Sequence, residues 1–241
     1  MSADKNKSKN LRKPKLKTTL ASSGLLLPEL SVLVSDSERD VTYDRLRKLA
    51  VDDNILSKPS IQSRQKIWKK LIDRYKFEAI DQSFQIWWSL IPQSESYDFA
   101  QLATLRWAQY DLLLRFLWND VYLFRKGMEA SVQSEDIIGF IKDIKGAHMG
   151  KTFFLERSEN VQKRIAQHFL LLLRECGAAK GKRNKMFATI SVGENASRYA
   201  VHLARQECPG SHEILNHWAL RWWGGNSSKA DEILRQIESY R

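Results

Sequence analysis

Residues 98–126 read DFAQLATLRWAQYDLLLRFLWNDVYLFRK, and the fold class follows from them. Leu102, Leu105, Trp107, Tyr110, Leu113, Leu114, Phe116, Leu117, Trp118, Val121, Tyr122 and Phe124 spread over nearly every face of a 3.6-residue helix. A helix that is apolar on most faces is a central one. The spacing therefore predicts one long helix, about 98–126, stopped at Gly127 and enclosed by others. Arg106, Asp111, Arg115 and Asp120 interrupt the run, so it is not a bilayer span, which needs about 20 predominantly apolar residues. Its aromatic stripe can stack bases, but core packing is the simpler account.

Working outward, the periodicity predicts mostly further helices. Pro28 suits the first turn of a helix running to about Val34. Thr42 suits the N-cap of another, with Leu46, Leu49 and Ala50 on one face and Asp52-Asp53-Asn54 at its end. Ser60 caps a helix to Tyr75 whose Ile61, Trp68, Leu71, Ile72 and Tyr75 share a face. A further helix covers about Lys76–Leu90 and ends at Ile91-Pro92. Beyond the central helix, Ser134 opens a short helix over 134–145. Ser158 opens a longer one to Cys176, closed by Gly177. In the latter, Val161, Ile165, Phe169, Leu172 and Cys176 face inward, leaving Gln162, Lys163 and Arg164 exposed. Met186–Val192 leans toward β structure. With only 5 Pro and 11 Gly, turns are too few for a β-sandwich or barrel.

The expected architecture is thus mainly α with minor β, a helical bundle in three parts. Residues 1–17 form a disordered basic arm. Residues 18–92 form a helix-turn-helix-like amino-terminal unit. Residues 93–241 hold the helical core and a carboxyl-terminal portion in which a helix, a basic turn and a short strand suggest a winged-helix-like arrangement.

Charge points toward function. The net charge is +11, an excess that favours polyanions. Residues 1–17 carry seven Lys or Arg against Asp4, residues 58–76 carry seven against Asp73, and the knot Lys180–Lys185 carries four. On the 60–75 helix, Lys66, Lys70 and Arg74 stand at i, i+4 and i+8 with Lys69 beside them. Like charges in such a row repel, and a polyanion along it removes the penalty. The candidate DNA contacts are therefore Ser60, Arg64, Lys66, Lys69, Lys70 and Arg74, with Ser158, Lys163, Arg164, Lys182, Arg183 and Lys185. Ordinary solubility is the competing explanation for each cluster taken singly.

Enzymatic motifs are weak. Gly146-Ala-His-Met-Gly150-Lys151-Thr152 has three residues between its glycines where a phosphate-cradling P-loop needs four, and a predicted helix precedes it instead of a strand. Cys208, His212 and His217 lack a fourth partner at zinc-finger spacing. No carboxylate pair, nucleophile or cofactor motif stands out, so no catalytic residue, metal or cofactor is expected. Two cysteines are too few for a disulfide framework and fit a reducing cytoplasm. The polar, basic first seventeen residues hold no apolar signal core.

Certain of these features occur in a familiar order. Ser23-Gly24-Leu25-Leu26-Leu27-Pro28-Glu29 precedes a short helix ending near Asn54-Ile55-Leu56. The helix capped by Ser60, the apolar 98–126 helix and the Ser158…Lys163-Arg164 helix closing in Leu-Leu-Arg-Glu-Cys-Gly follow. Together, over about residues 18–180, they resemble the BrxA family, small proteins encoded in BREX phage-defence operons and earlier described as inner-membrane proteins. The resemblance implies a helical fold, double-stranded DNA binding and work beside other BREX proteins. The family has also been likened to NusB, a helical RNA-binding fold. The leading expectation is a non-catalytic, cytoplasmic DNA-binding protein that acts mainly on phosphates. The alternatives are an RNA-binding protein and a protein–protein adaptor using Trp218, Trp222 and Trp223 or the apolar Leu25–Leu33.

Overall fold

The computed structural model describes residues 18–37, 41–125, 130–182, 185–208 and 214–222, together with positions 231, 233 and 235. The basic arm 1–17, the stop at Gly127, Arg183, His212 and Trp223 lie outside the described residues. Pro28 occupies the first turn of α1 (Leu27–Asp36). Thr42 Oγ1 accepts the Arg45 N–H at 3.3 Å and opens α2 (Tyr43–Arg47), which widens into a π-helical stretch, Lys48–Asp52. Residues 53–60 then connect to α3 (Ile61–Tyr75), a longer link than the three or four residues of a helix-turn-helix. Asn54 and Ser57 take positive φ within it. Ser60 Oγ accepts the Ser63 N–H at 3.2 Å, the expected N-cap of α3.

The helix expected from Lys76 starts later. Lys76 adopts a left-handed φ of 54° and ends α3, so α4 (Gln82–Leu90) begins only where Asp81 caps the Phe84 N–H at 2.8 Å. A 3₁₀ turn with Pro92, Ile91–Gln93, closes it.

The apolar run is two helices, not one. α5 (Ser96–Ala108) is buried at every position from Ala100 to Ala108, as its all-round hydrophobicity requires. The chain breaks at Gln109–Asp111 and resumes as α6 (Leu112–Phe116), a π-helical stretch (Leu117–Tyr122) and α7 (Leu123–Arg125). Polar side chains make the break. Asp111 caps α6 by accepting the Leu114 N–H at 3.0 Å, and the Arg115 guanidinium donates to the carbonyls of Ala108 and Gln109, both at 2.6 Å. Those carbonyls would otherwise be orphaned at a helix end.

The remaining elements are β1 (Ser131–Val132), α8 (Ser134–Asp143), α9 (Met149–Leu155), α10 (Glu159–Glu175), β2 (Ala179–Lys180), β3 (Lys185–Phe187), α11 (Glu194–Glu207) and α12 (Trp218–Arg221). Neither serine predicted to cap this part does so. Asp136 closes the start of α8 by accepting the Gln133 N–H at 2.8 Å, and no side chain caps α10 at Ser158. The strands form an antiparallel sheet in the order β1-β3-β2, with Ser131 opposite Met186 and Lys180 also opposite Met186. Gly177, at φ +77°, turns the chain from α10 into β2.

α5 lies at the centre, packed by α3, α10 and α11. Its buried polar groups tie distant segments to it. Gln101 Nε2 donates to the carbonyls of Cys176 (3.0 Å) and Ser191 (2.8 Å), and its Oε1 accepts the Gly193 N–H (2.8 Å). Asp98 caps α11 from across the fold, accepting the N–H groups of Asn195 and Ala196. Leu25, Leu30, Leu33 and Trp222 are fully buried in the same hydrophobic cluster. Leu25, Leu30 and Leu33 of the segment expected as an adaptor surface, and Trp222, are therefore core, while Val32 stays exposed. Trp222 stacks on Trp118 at 4.5 Å, and its carbonyl accepts the Trp118 indole N–H at 2.6 Å. Among the described residues no helix is long and apolar enough to cross a membrane.

Candidate nucleic-acid interface

The chain enters the described fold as a strap, Thr18–Leu26, pinned between α3 and α10. Asp111 accepts from Thr18 Oγ1 at 2.8 Å and from the Thr19 N–H at 3.4 Å. His168 Nδ1 lies 2.6 Å from the Leu20 carbonyl, which can only accept, so this nitrogen carries the proton. Arg74 donates to the Ser23 carbonyl at 2.8 Å and also to the Ser23 hydroxyl, while the Tyr75 hydroxyl donates to the Leu25 carbonyl. Gly24 passes so close to α10 that a Cβ there would meet Leu171 at 3.3 Å. The strap thus follows α10 from His168 toward Glu175. The first two turns of α10 remain uncovered by it.

The ionisable groups under the strap are displaced from their usual behaviour. Burial raises the pKa of Asp111, against its hydrogen bonds from Leu114, Thr18 and Thr19. Burial also raises Glu175. His168 is lowered, first by burial and then by the positive charges of Arg164, Arg74 and Lys70. Two of these neighbours come from different helices. Lys70 from α3 and Arg164 from α10 act on the same imidazole.

The expected contact residues divide. Lys66 on α3 is exposed, and Lys70 is half-exposed. Arg74 is corrected: it is 0% exposed, its guanidinium lies 4.7 Å from the Trp107 ring, and it holds Ser23, so it cannot touch a phosphate. Four residues carry Arg74 about 6 Å further along α3 than Lys70 and about 40° round it, to where the strap crosses. Arg64 donates to the Val51 carbonyl at 3.2 Å, and Lys69 pairs with Asp73 at 3.5 Å. Ser60 serves the helix cap, and Ser158 is exposed.

On α10, Arg164 is exposed, as predicted. Lys163 pairs with Glu135 of α8 at 2.7 Å, and this contact, with the Ser134 hydroxyl, holds the Glu135 carboxyl down at about 2. Gln162, expected outside, is buried, with Nε2 donating to the carbonyls of Leu155 and Arg157. In the β2–β3 hairpin Lys180 and Lys182 are exposed and Lys185 is half-exposed, with its Nζ 3.3 Å from the Lys182 carbonyl. From Arg164 the α10 axis runs about 16 Å to its end at Glu175, at 1.5 Å rise per residue, and this third cluster begins beyond the Gly177 turn. His168 and the strap were not legible as site features, because nothing in the sequence signals a contact 148 residues away.

The candidate enzymatic motifs have structural employment. Lys151 Nζ donates to the carbonyls of Lys142 (3.1 Å) and Ile144, closing the end of α8. A Cβ on Gly150 would fall 2.5–2.9 Å from Phe116, so this glycine lets α9 pack on α6. His217 faces Glu207 at 2.9 Å and caps α12 through Nδ1. The Cys176 thiol is buried, and that burial pushes its pKa up. Among the described residues no three His, Cys, Asp or Glu gather to hold a metal.

Comparison with known proteins adds one match. The family model described as BrxA covers residues 14–200, which include the strap, α3, α10 and the hairpin. No curated protein matches the chain.

Proposed function

The chain belongs to the BrxA family, and so to the proteins associated with BREX systems; from that premise we propose that it is a non-catalytic accessory protein that binds double-stranded DNA, chiefly through phosphates. One observation carries this reading. Lys70 and Arg164, from separate helices, bear on one imidazole, and neither has an ion-pair partner among the described residues. Both disfavour the charged form of His168 between α3 and α10, and a phosphate backbone against these exposed cations offsets that effect. The β2–β3 hairpin, packed against α10, adds the exposed or half-exposed cations Lys180, Lys182 and Lys185. The strand order β1-β3-β2 around α8–α10 fits a winged helix, with α10 in the recognition position and the β2–β3 hairpin as the wing. The arm, with seven cations in residues 1–17, joins the fold at Thr18, close to the same place.

The test is a mobility-shift titration with duplex DNA, single-stranded DNA and RNA of equal length at two salt concentrations. Tightest binding to duplex DNA supports the reading. Preference for RNA or no salt dependence overturns it. A second function, contact with other BREX proteins, is favoured by Phe124 (79% exposed) and Met149 (62% exposed). Asp120 contributes to cavities beside each of them. Loss of partner co-purification on Phe124→Ser would support it.

A further inference from the structure

We propose that the uncovered half of α10 reads base edges, and that the protein therefore prefers a short duplex sequence. The inference rests on the duplex-binding reading and goes beyond phosphate contact. Asn160, Arg164 and Gln167 stand at i, i+4 and i+7 and share one exposed face of α10. Among the described residues, none of the three makes a hydrogen bond or ion pair with another side chain. This face is bounded on one side by the Lys163–Glu135 pair and on the other by the strap at His168. From Asn160 to Gln167 no outward position carries a carboxylate or an aliphatic group.

The residue types match the exposed donor and acceptor pattern of the major groove. Asn and Gln pair bidentately with adenine N6 and N7, and Arg pairs with guanine O6 and N7. The buried side of α10, through Ile165, Ala166 and Phe169, fixes the helix to the core, so the row is presented rigidly. From 160 to 167 the axis advances about 10 Å, close to three base-pair steps of about 3.4 Å. The expected site is therefore three to four base pairs, with adenines flanking a guanine on one strand or the other. Glu159, exposed just before the row, is tolerated only beside a cytosine amino group.

The experiment is selection from a random 20-base-pair duplex pool by the full chain, repeated with Asn160→Ala/Gln167→Ala and with Arg164→Lys. Both alanines sit on an exposed helical face, where alanine favours the helix, and circular dichroism checks the fold. The wild type should enrich an A- and G-containing site that it binds roughly 5–150-fold more tightly than its mismatched version. The double alanine variant should lose that preference while keeping its affinity for random duplex and its salt dependence. Arg164→Lys should keep the charge and relax the guanine position. Duplex binding with no enriched site overturns the inference and leaves the phosphate-binding reading intact. An enriched site that survives in the double variant also overturns it, because readout then lies elsewhere. Absence of duplex binding overturns both.

Discussion

Lys70 and Arg74 lie one turn apart in a row of like charges, yet the structure separates their roles, and alanine substitutions expose the difference. The exposed or half-exposed cations of the candidate surface that have no carboxylate partner among the described residues are Lys66, Lys70, Arg164, Lys180, Lys182 and Lys185. Each cation seated against the duplex, on a phosphate or in the groove, displaces counterions and contributes about −0.9 to the slope of log K against log salt, so these six give a slope near −5.4. Between 50 and 200 mM salt the affinity should then fall about 2,000-fold. In Lys70→Ala/Arg164→Ala, four contacts remain, the slope relaxes to about −3.6, and the same change in salt loses only about 150-fold. Contacts from the arm shift both slopes equally and leave their difference of about 1.8.

Arg74→Ala should leave the slope unchanged. It removes a buried side chain that donates to Ser23 and lies over Trp107, costing about 2–4 kcal/mol of stability. In a chain of this size that corresponds to a melting temperature lower by roughly 5–15 °C. Fluorescence anisotropy with a labelled duplex at several salt concentrations, alongside thermal denaturation, measures both. A slope altered by Arg74→Ala and untouched by the double variant would refute the placement of these side chains.

Three other outcomes follow from particular contacts. Gly150→Ala forces a Cβ against the base of the buried Phe116 ring and should destabilise the fold by about 1–3 kcal/mol in urea titration. Asp98→Ala removes the cap that α5 supplies to α11 and should cost about 1–2 kcal/mol in the same assay. The folded-state pKa of His168 lies below its ordinary 6.5, so its stability contribution is complete above that value and is lost as pH falls through the lowered one. His168→Asn should flatten that part of the stability profile. Because Arg164, Arg74 and Lys70 help to lower this pKa, a bound polyanion should raise it, seen as an upward shift of the imidazole titration by NMR when duplex is added.

What the sequence disclosed depended on whether an interaction was local. α1, α3 and α10 were legible because Pro28, Ser60, Gly177 and the 3.6-residue spacing act within a few residues. The break at Gln109–Asp111 was not. Its polar residues looked like interruptions of one helix, and the groups that make it a break include Thr18 and Thr19, more than 90 residues earlier. For the same reason Asp98 capping α11 was invisible, and Ser134 and Ser158 looked like caps they are not. Among the site residues, Arg164 was placed correctly by periodicity, whereas Arg74 and Gln162 were not. The hydrophobic face of a helix is marked by its apolar residues, but a polar residue at its edge goes in or out according to which carbonyl waits there. For Arg74 that carbonyl is on Ser23; for Gln162 it is on Leu155 and Arg157.

The strap connects these two kinds of information. Its anchors come from α3, from the α5–α6 break and from α10, so a single segment ties together the helices that carry Lys70 and Arg164. Its buried groups titrate in opposite senses. Protonating His168 opposes the docked strap, whereas Asp111 and Glu175, whose pKa values burial raises, contribute stability that is present in acid and lost as pH rises through their raised values. The strap is therefore held by contacts whose pH responses partly cancel. A polyanion near Lys70 and Arg164 stabilises the charged form of His168, whose pKa those two side chains help to lower. Duplex binding should accordingly take up protons as pH falls toward and below the ordinary imidazole value of 6.5, and the affinity should rise over the same range. A His168→Asn variant that kept the same pH dependence would show that the imidazole is not where the anion acts.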